Sequence, residues 1–188
     1  MEPSVIDRVR AGDARAFEEL ARTFERPLFR QVARMLGPDD AEDAVQDAFL
    51  SAWRSIGSFD GTSFRAWLFR IATNRALDVI RARKRRNELP LEPALDEERI
   101  WVEPASPGPT LDQLAGGAEA RAAVEAALLR IPAEQRAALL LRDVEGFNYE
   151  EIGRITGAGP GTVRSRIFRA RLAVRNDLVA RGWKNSAE

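Results

Sequence analysis

Residues 148–175, NYEEIGRITGAGPGTVRSRIFRARLAVR, limit what this chain can fold into more than any other stretch. Asn148 is a good helix N-cap, and Glu151 stands three residues on, where a capping box places its acidic partner. The TGAGP sequence of residues 156–160 favours a turn, since glycine and proline both interrupt helices. A second helix then starts near Gly161. The segment is therefore predicted to be two helices joined by a tight turn, at the spacing of a helix-turn-helix.

The second of these helices combines a buried apolar stripe with a basic outer face. Val163, Ile167, Ala170 and Val174 recur at helical spacing and are predicted to face the core. The opposite side suits a DNA major groove, where arginine binds guanine through two hydrogen bonds and an apolar group contacts thymine methyls. A solvated basic face is the alternative, but it does not explain an exposed Phe168 among arginines. The predicted DNA-contacting residues are Thr162, Arg164, Ser165, Phe168, Arg169 and Arg171.

The composition excludes several classes of function. Cysteine and histidine are both absent, which removes disulfides, thiolate zinc sites and the usual general base of enzymes. We therefore expect no catalytic activity, no cofactor and no metal site. No apolar run reaches the ~18 residues of a membrane span, and the first four residues lack the layout of a signal peptide. A cytoplasmic protein without membrane insertion is expected.

Charge is balanced over the whole chain but separated along it. The 29 basic and 29 acidic residues give a formal net charge of zero. Acidic residues cluster at positions 39–47 and 88–119, whereas basic residues cluster at 75–86 and in the second helix of the predicted helix-turn-helix. This alternation indicates separate surfaces for separate partners.

The predicted fold class is all-α, with two small helical domains. Residues 13–36, 39–53 and 63–86 follow helical spacing, with Asp13, then Asp39 or Asp40, then Thr62 or Ser63 as caps. Residues 87–117 hold five prolines and many acids, and are predicted to be a flexible acidic linker in which Trp101 is an anchor point. The domains are thus residues 1–86 and 118–188, the second containing the helix-turn-helix, and their relative placement is expected to be loose.

Two surfaces of the N-terminal domain are candidates for binding. The outer side of the 39–53 helix mixes polar and apolar side chains, which is typical of a docking face, although a solvated face is commoner. Further on, phenylalanines outside the apolar stripe alternate with arginines before a basic helix end, as on surfaces that bind unstacked bases. A basic tail that stabilises the helix macrodipole is the alternative there. The docking candidates are Gln46, Asp47, Leu50 and Trp53; the base-binding candidates are Phe59, Arg65, Phe69, Arg70, Asn74, Arg75, Arg81 and Arg83.

Three motifs, in this order, resemble the extracytoplasmic-function (ECF) sigma factors, promoter-specificity subunits of bacterial RNA polymerase. DAEDAVQDAFLSAWRSI is similar to the helix that docks the polymerase clamp, and FRAWLFRIATNRALD to the segment for the −10 promoter element. YEEIGRITGAGPGTVRSRIFRAR is similar to the reader of the −35 element. One departure is visible: in residues 158–161, AGPG, the proline is shifted from the usual turn pattern, which affects the expected tilt of the second helix.

The resemblance implies a role for each candidate surface. Gln46, Asp47, Leu50 and Trp53 would contact the clamp, Asn74 would hold a base flipped from the melted −10 strand, and the second helix would read the −35 duplex. The implied partners are core RNA polymerase, through its clamp and flap, promoter DNA and an anti-sigma factor.

Two other classes of protein are weighed against this interpretation. A conventional helix-turn-helix regulator needs a receiver or ligand-binding domain, whereas the N-terminal half here is predicted to be helical with a basic, aromatic end. A recombinase needs an activated serine or tyrosine, but the single tyrosine, Tyr149, lies in the helix-turn-helix.

Overall fold

In the computed structural model, which describes residues 4–86 and 118–182, the chain is built from α-helices and one short 3₁₀ turn. No β-strand occurs within these two ranges, and the all-α fold with two helical domains is confirmed. The helices of the N-terminal domain are α1 (Val5–Arg10), α2 (Ala14–Leu36), α3 (Pro38–Ser55) and α4 (Phe64–Arg86), with the 3₁₀ turn at Ile56–Ser58. Those of the C-terminal domain are α5 (Ala118–Leu128), α6 (Ala133–Asp143), α7 (Tyr149–Thr156) and α8 (Pro160–Ala180).

The starts of the N-terminal helices follow local capping chemistry. Asp13 accepts hydrogen bonds from the backbone N–H groups of Arg15 and Ala16, at 3.0 and 3.1 Å, so the predicted cap of α2 is confirmed. Ser63 accepts one from the N–H of Ala66 at 3.2 Å and is the side chain that caps α4. The prediction of Asp39 or Asp40 as the cap of α3 is wrong. That helix begins one residue earlier, at a proline whose missing N–H needs no acceptor.

Buried apolar side chains of both domains form one continuous core. Within the N-terminal domain, α2, α3 and α4 pack around Leu28, Val32 and Leu68, which are fully buried. In the C-terminal domain, α6 supplies Leu139, Leu140 and Leu141 to the core, and it packs against α7 and α8. Removal of this apolar surface from water is the main force that holds both bundles together.

The two domains contact each other in this structure. Helices α2 and α4 pack against α5, α6 and α7, although a loose arrangement was expected from the sequence of the linker. Residues 87–117, including Trp101, lie outside the described ranges. Among the helices of the described part, none has both the length and the apolarity needed to cross a membrane.

Candidate nucleic-acid interface

The predicted helix-turn-helix is formed by α7 and α8, and local chemistry sets its geometry. The side-chain oxygen of Asn148 accepts from the N–H of Glu151 at 2.9 Å, while the Glu151 carboxylate accepts from the N–H of Asn148 at 2.8 Å. This reciprocal pair is the predicted capping box. Helix α7 ends at Thr156 and is capped by Gly157, whose φ of 70° lies in the left-handed region that glycine adopts at little cost. Helix α8 then starts at Pro160.

Helix α8, which we call the recognition helix, turns the predicted stripe into the core. Val163, Ile167, Ala170 and Val174 are all buried. The Arg164 guanidinium lies 5.6 Å from the centre of the Tyr149 ring on α7, within cation–π range, which ties the recognition helix to its partner. Four of the predicted DNA-contacting residues are partly exposed on this helix: Thr162, Arg164, Phe168 and Arg169.

Ser165, predicted to lie on the outer face, and Arg171, predicted to contact DNA from its flank, are both buried, so neither prediction holds in this structure. Ser165 is only 2% exposed, and its hydroxyl donates to the carbonyl of Thr162 at 3.0 Å, a bond within its own helix. Arg171 is 7% exposed and forms an ion pair with Asp143 of α6, with an Nε–Oδ2 distance of 3.1 Å. The arginine therefore links the recognition helix to the bundle behind it.

Five of the predicted base-binding residues on α4 divide between two faces. Arg70, Asn74 and Arg81 are spaced by four and seven residues, so they share one side of the helix, and all three are exposed. Arg65 and Phe69 share a different side, which faces the C-terminal domain. The single surface predicted from the sequence is thus two surfaces in this structure.

The prediction that Phe59 and Phe69 are exposed is also wrong. Phe59 is 4% exposed and packs in an aromatic cluster with Phe64 and Trp67, at ring-centre distances of 5.8 and 5.6 Å. Phe69 is fully buried, with its ring 5.2 Å from that of Phe147 in an edge-to-face arrangement. Large aromatic rings bury area most effectively in such clusters, which explains why neither remains on the surface.

Several of the predicted DNA-contacting arginines are paired with acids. Within the N-terminal domain, Arg75 pairs with Asp47 of α3 and Arg83 with Asp40. Arg81 contacts Asp78 at 3.3 Å and Glu134 of α6 at 3.4 Å. All of these pairs are partly exposed, so each contributes little to stability and leaves the arginine able to exchange its partner.

The predicted docking face on α3 is only partly open. Gln46 and Leu50 are exposed, Leu50 by 52%, and Asp47 is half-exposed. Trp53 is half-buried, with its ring 5.1 Å from that of Phe17 on α2. The tryptophan therefore contributes to the packing of α2 on α3 as well as to the outer face.

Sequence reasoning missed the residues that join the two domains. Arg136 is buried, and it donates to the carbonyl of Met35 in the N-terminal domain and to those of Leu129 and Ile131, at 3.2 and 3.1 Å. Burial lowers the pKa of Arg136 to about 10. Glu145 and Phe147 also lie at this contact. An apolar residue before an N-cap signals a hydrophobic staple, but no local signal pairs Phe147 with Phe69.

The described ranges contain no group of three acidic, histidine or cysteine residues arranged to hold a metal ion. What they do contain is a helical bundle followed by a helix-turn-helix domain, which defines the class of DNA-binding proteins. Comparison with known families assigns both parts. Residues 20–86 match Sigma-70 region 2, and residues 121–174 match Sigma-70 region 4.

The chain belongs to the ECF family of RNA polymerase sigma factors. It is 36% identical over 181 residues to the ECF RNA polymerase sigma-E factor of Escherichia coli K12, covering 93% of this chain and 92% of that protein. Among solved structures it resembles the sigma factor RpoE of Bartonella quintana in complex with the anti-sigma factor NepR. That match has a TM-score of 0.66 and 29% identity, and covers 87% of this chain and 96% of the other.

A second structural neighbour is CnrH in complex with the cytosolic domain of CnrY, with a TM-score of 0.66 and 26% identity over 94% of this chain and 96% of the other. The protein is therefore a sigma factor, a subunit that recognises promoter DNA together with core RNA polymerase. The alternative of a conventional helix-turn-helix regulator is not favoured.

Proposed function

We propose that the two domains divide promoter recognition between them, with α8 reading the −35 duplex and α4 holding the melted −10 strand. The observation that carries this proposal is the position of α8. The capping box at the start of α7 and the left-handed glycine at its end fix the position of α8. The outer side of α8 carries arginines and a phenylalanine that are partly exposed. A helix held in this way can enter the major groove with its side chains toward the base edges.

For the −35 element, the proposed readers are Arg164, Phe168 and Arg169, with Thr162 near the helix start. Arginine is suited to guanine, and the phenylalanine to thymine methyl groups. Arg171 is assigned a positioning role, since its guanidinium is buried against Asp143. Ser165 is left out of this set because its hydroxyl is already bonded within the helix.

For the −10 element, the exposed side of α4 supplies the first contacts. Asn74 has an amide that donates and accepts, so it can bond to the edge of a base that has left the stack. Arg70 and Arg81 lie on the same side of the helix and are placed to bind the phosphates that flank this base. Arg65 and Phe69 are proposed as further contacts, although Phe69 is buried and Arg65 is partly covered in the present arrangement.

For polymerase, the proposed docking face is the outer side of α3, formed by Gln46, Asp47, Leu50 and Trp53, against the clamp. Leu50 is its most exposed apolar side chain. An anti-sigma factor is a further proposed partner, supported by the likeness to RpoE, which was solved with the anti-sigma factor NepR. We also place the protein in the cytoplasm, where polymerase and DNA are, and assign no catalysis to it.

The test is runoff transcription with core polymerase over a promoter library, comparing Arg169→Ala and Asn74→Ala with the unaltered protein. Loss of one arginine–guanine contact costs about 1–3 kcal/mol of discrimination, so Arg169→Ala relaxes the preference at particular −35 positions. Asn74→Ala slows initiation and relaxes −10 preference, and a promoter with a pre-melted −10 region separates base capture from melting.

The two assignments predict different effects, because each variant is expected to change base preference at only one promoter element. A change in −35 preference caused by Asn74→Ala, or full −35 selectivity retained by Arg169→Ala, contradicts the division between the helices. The absence of any promoter-dependent transcript from a folded protein that binds core polymerase contradicts the proposal as a whole.

A further inference from the structure

The loop of residues 144–148, between α6 and α7, covers part of α4. Arg65 of α4 donates to the carbonyl of Glu145 at 2.7 Å and to its carboxylate at 3.0 Å. The same guanidinium lies 4.1 Å from the centre of the Phe147 ring and 5.2 Å from that of Phe69. One arginine of the N-terminal domain is therefore bound by a carbonyl, a carboxylate and an aromatic ring, all three supplied by the C-terminal domain.

The Phe147 ring also excludes water from this contact, on the side of Phe69. Its ring meets that of Phe69 edge to face at 5.2 Å, and the two side chains are 2% and 0% exposed. An aromatic ring that stacks on a base must offer its face to that base. While Phe147 stays in this position, a base cannot reach Phe69.

The contacts made by Glu145 resemble those that a nucleic-acid strand makes. Its carboxylate and carbonyl oxygens take up donors of Arg65 that would otherwise bind a phosphate, and Phe147 takes the place of a base against Phe69. The same α6 helix also supplies Glu134, which pairs with Arg81. Three residues proposed for −10 binding are thus engaged by the C-terminal domain.

Other groups hold the domains together away from these residues. Arg136 of α6 donates to the carbonyl of Met35, near the C-terminal end of α2, where a positive charge is favourable. Arg34 of α2 lies 3.8 Å from Glu125 of α5. The contact also has a weak point, since the Oε1 oxygen of Glu145 is buried without a hydrogen-bond partner. Such an oxygen has lost its hydration without gaining a partner, which costs free energy when the two domains come together.

We propose that the 144–148 loop is a built-in inhibitor, which occupies Arg65 and Phe69 so that the closed protein does not bind melted −10 DNA. The inference rests on the proposed −10 role of those two residues. Separation of the two domains frees the side chains of Arg65 and Phe69, and it also lets the domains reach separate promoter elements. A sigma factor that is closed when alone avoids binding single-stranded nucleic acid until polymerase draws the domains apart.

The absence of cysteine from the whole chain allows a direct test by cross-linking. Arg34→Cys and Glu125→Cys place one thiol on each domain at positions that belong to neither DNA-binding nor docking surfaces. A short bismaleimide joins the two thiols and locks the closed form. The same double variant capped with N-ethylmaleimide is the matched control. Binding of the full-length protein to fluorescein-labelled oligothymidylate is followed by fluorescence anisotropy.

The locked protein is expected to bind the oligonucleotide at least about tenfold more weakly than the capped control. The reason is that apparent affinity falls in proportion to the fraction of molecules that are open. Glu145→Gln, which removes the charge held by Arg65, is expected to bind more tightly than the unaltered protein. Combined with the two cysteine substitutions, Glu145→Gln is also expected to cross-link more slowly than the double cysteine variant alone. Glu119→Gln, an equal charge change at an exposed site on α5, is expected to change neither property.

Two outcomes overturn different statements. Equal binding by the locked and capped proteins, with binding still lost in Arg65→Ala, overturns the inhibitory loop and leaves the −10 assignment standing. Failure of the cysteines to cross-link also overturns the loop, since the closed form is then not populated. If Arg65→Ala and Phe69→Ala have no effect in the Glu145→Gln background, the −10 role of these residues is wrong, and the inference falls with it.

Discussion

Arg171 holds the recognition helix in place through a buried charge. Its side chain is 9% exposed and that of its partner Asp143 only 1%, so each charge has little access to water. A buried ion pair adds little compared with an apolar pair, but removing one partner leaves a charge uncompensated. This asymmetry separates a positioning residue from one that contacts DNA.

We predict that Arg171→Ala lowers the free energy of unfolding by about 3–5 kcal/mol, measured by urea denaturation followed by circular dichroism. The double variant Asp143→Leu with Arg171→Met is expected to lose much less, since neither charge remains. Arg169→Ala, two residues earlier at a partly exposed position, is the control and changes stability by within about 0.5 kcal/mol. Unchanged stability in Arg171→Ala together with weaker −35 selectivity contradicts the positioning role.

Leu50 and Trp53 belong to the same predicted docking face but differ in burial. We predict that Leu50→Ala weakens binding to core polymerase by more than about 1 kcal/mol, as interface anchors do, without loss of stability. Trp53→Ala is expected to destabilise the fold by roughly 1–3 kcal/mol, because its ring packs on Phe17. Thermal denaturation and polymerase pull-down measure the two effects separately. Unfolding of Leu50→Ala shows instead that this leucine belongs to the core.

At the scale of elements, the turn between α7 and α8 decides how the recognition helix is presented. A Cβ atom added to Gly153 meets the carbonyl oxygen of Ala158 at 2.8 Å, which is closer than such atoms approach. Gly157 has a positive φ of 70°. The turn therefore depends on two glycines for different reasons, one for close approach and the other for conformation.

We predict that Gly153→Ala weakens binding to −35 duplex DNA, since backbone at the turn must move and the angle of α8 changes with it. Gly157→Ala is expected to cost about 1–2 kcal/mol of stability through its left-handed conformation. Gly159→Ala is a matched control in the same turn, because its φ is −66° and a Cβ there meets nothing within 4 Å. Duplex binding by anisotropy and thermal denaturation measure the two effects, and an equal loss in all three variants contradicts this account.

At the scale of the whole molecule, the contact between domains makes two bundles behave as one. The core is continuous across it, and Arg136 donates one hydrogen bond over the boundary, to the carbonyl of Met35. Because buried apolar contacts couple the stability of the elements they join, the domains are expected to unfold together.

We predict that α4 and α6 lose amide protection at the same urea concentration, measured by hydrogen–deuterium exchange with mass spectrometry. Arg136→Ala is expected to separate the two transitions, since it removes the hydrogen bonds to Met35, Leu129 and Ile131. Arg154→Ala, at an exposed position on α7, is expected to leave them together. Two separate transitions in the unaltered protein show that the domains are independent in solution, as the linker sequence predicts.

Local signals in the sequence determined the helices, the two domains and the helix-turn-helix. The capping box at Asn148 and the buried stripe of α8 involve residues a few positions apart, so pattern and propensity are sufficient to predict them. The motifs also identified the family. The proposed surfaces on α3, α4 and α8 were found in the same way, because exposed faces also repeat with the helical period.

Only the tertiary structure decided which members of those faces remain open. Arg171 is 28 positions from Asp143 in the sequence, and Arg65 is 80 positions from Glu145. No helical periodicity relates two residues that are so far apart along the chain. Phe69 looks like a surface aromatic among arginines until a second domain places Phe147 over it. A helical pattern specifies the side of the helix on which a residue lies. Whether that residue is buried depends on what packs against that side, and the packing partner comes from a distant part of the sequence.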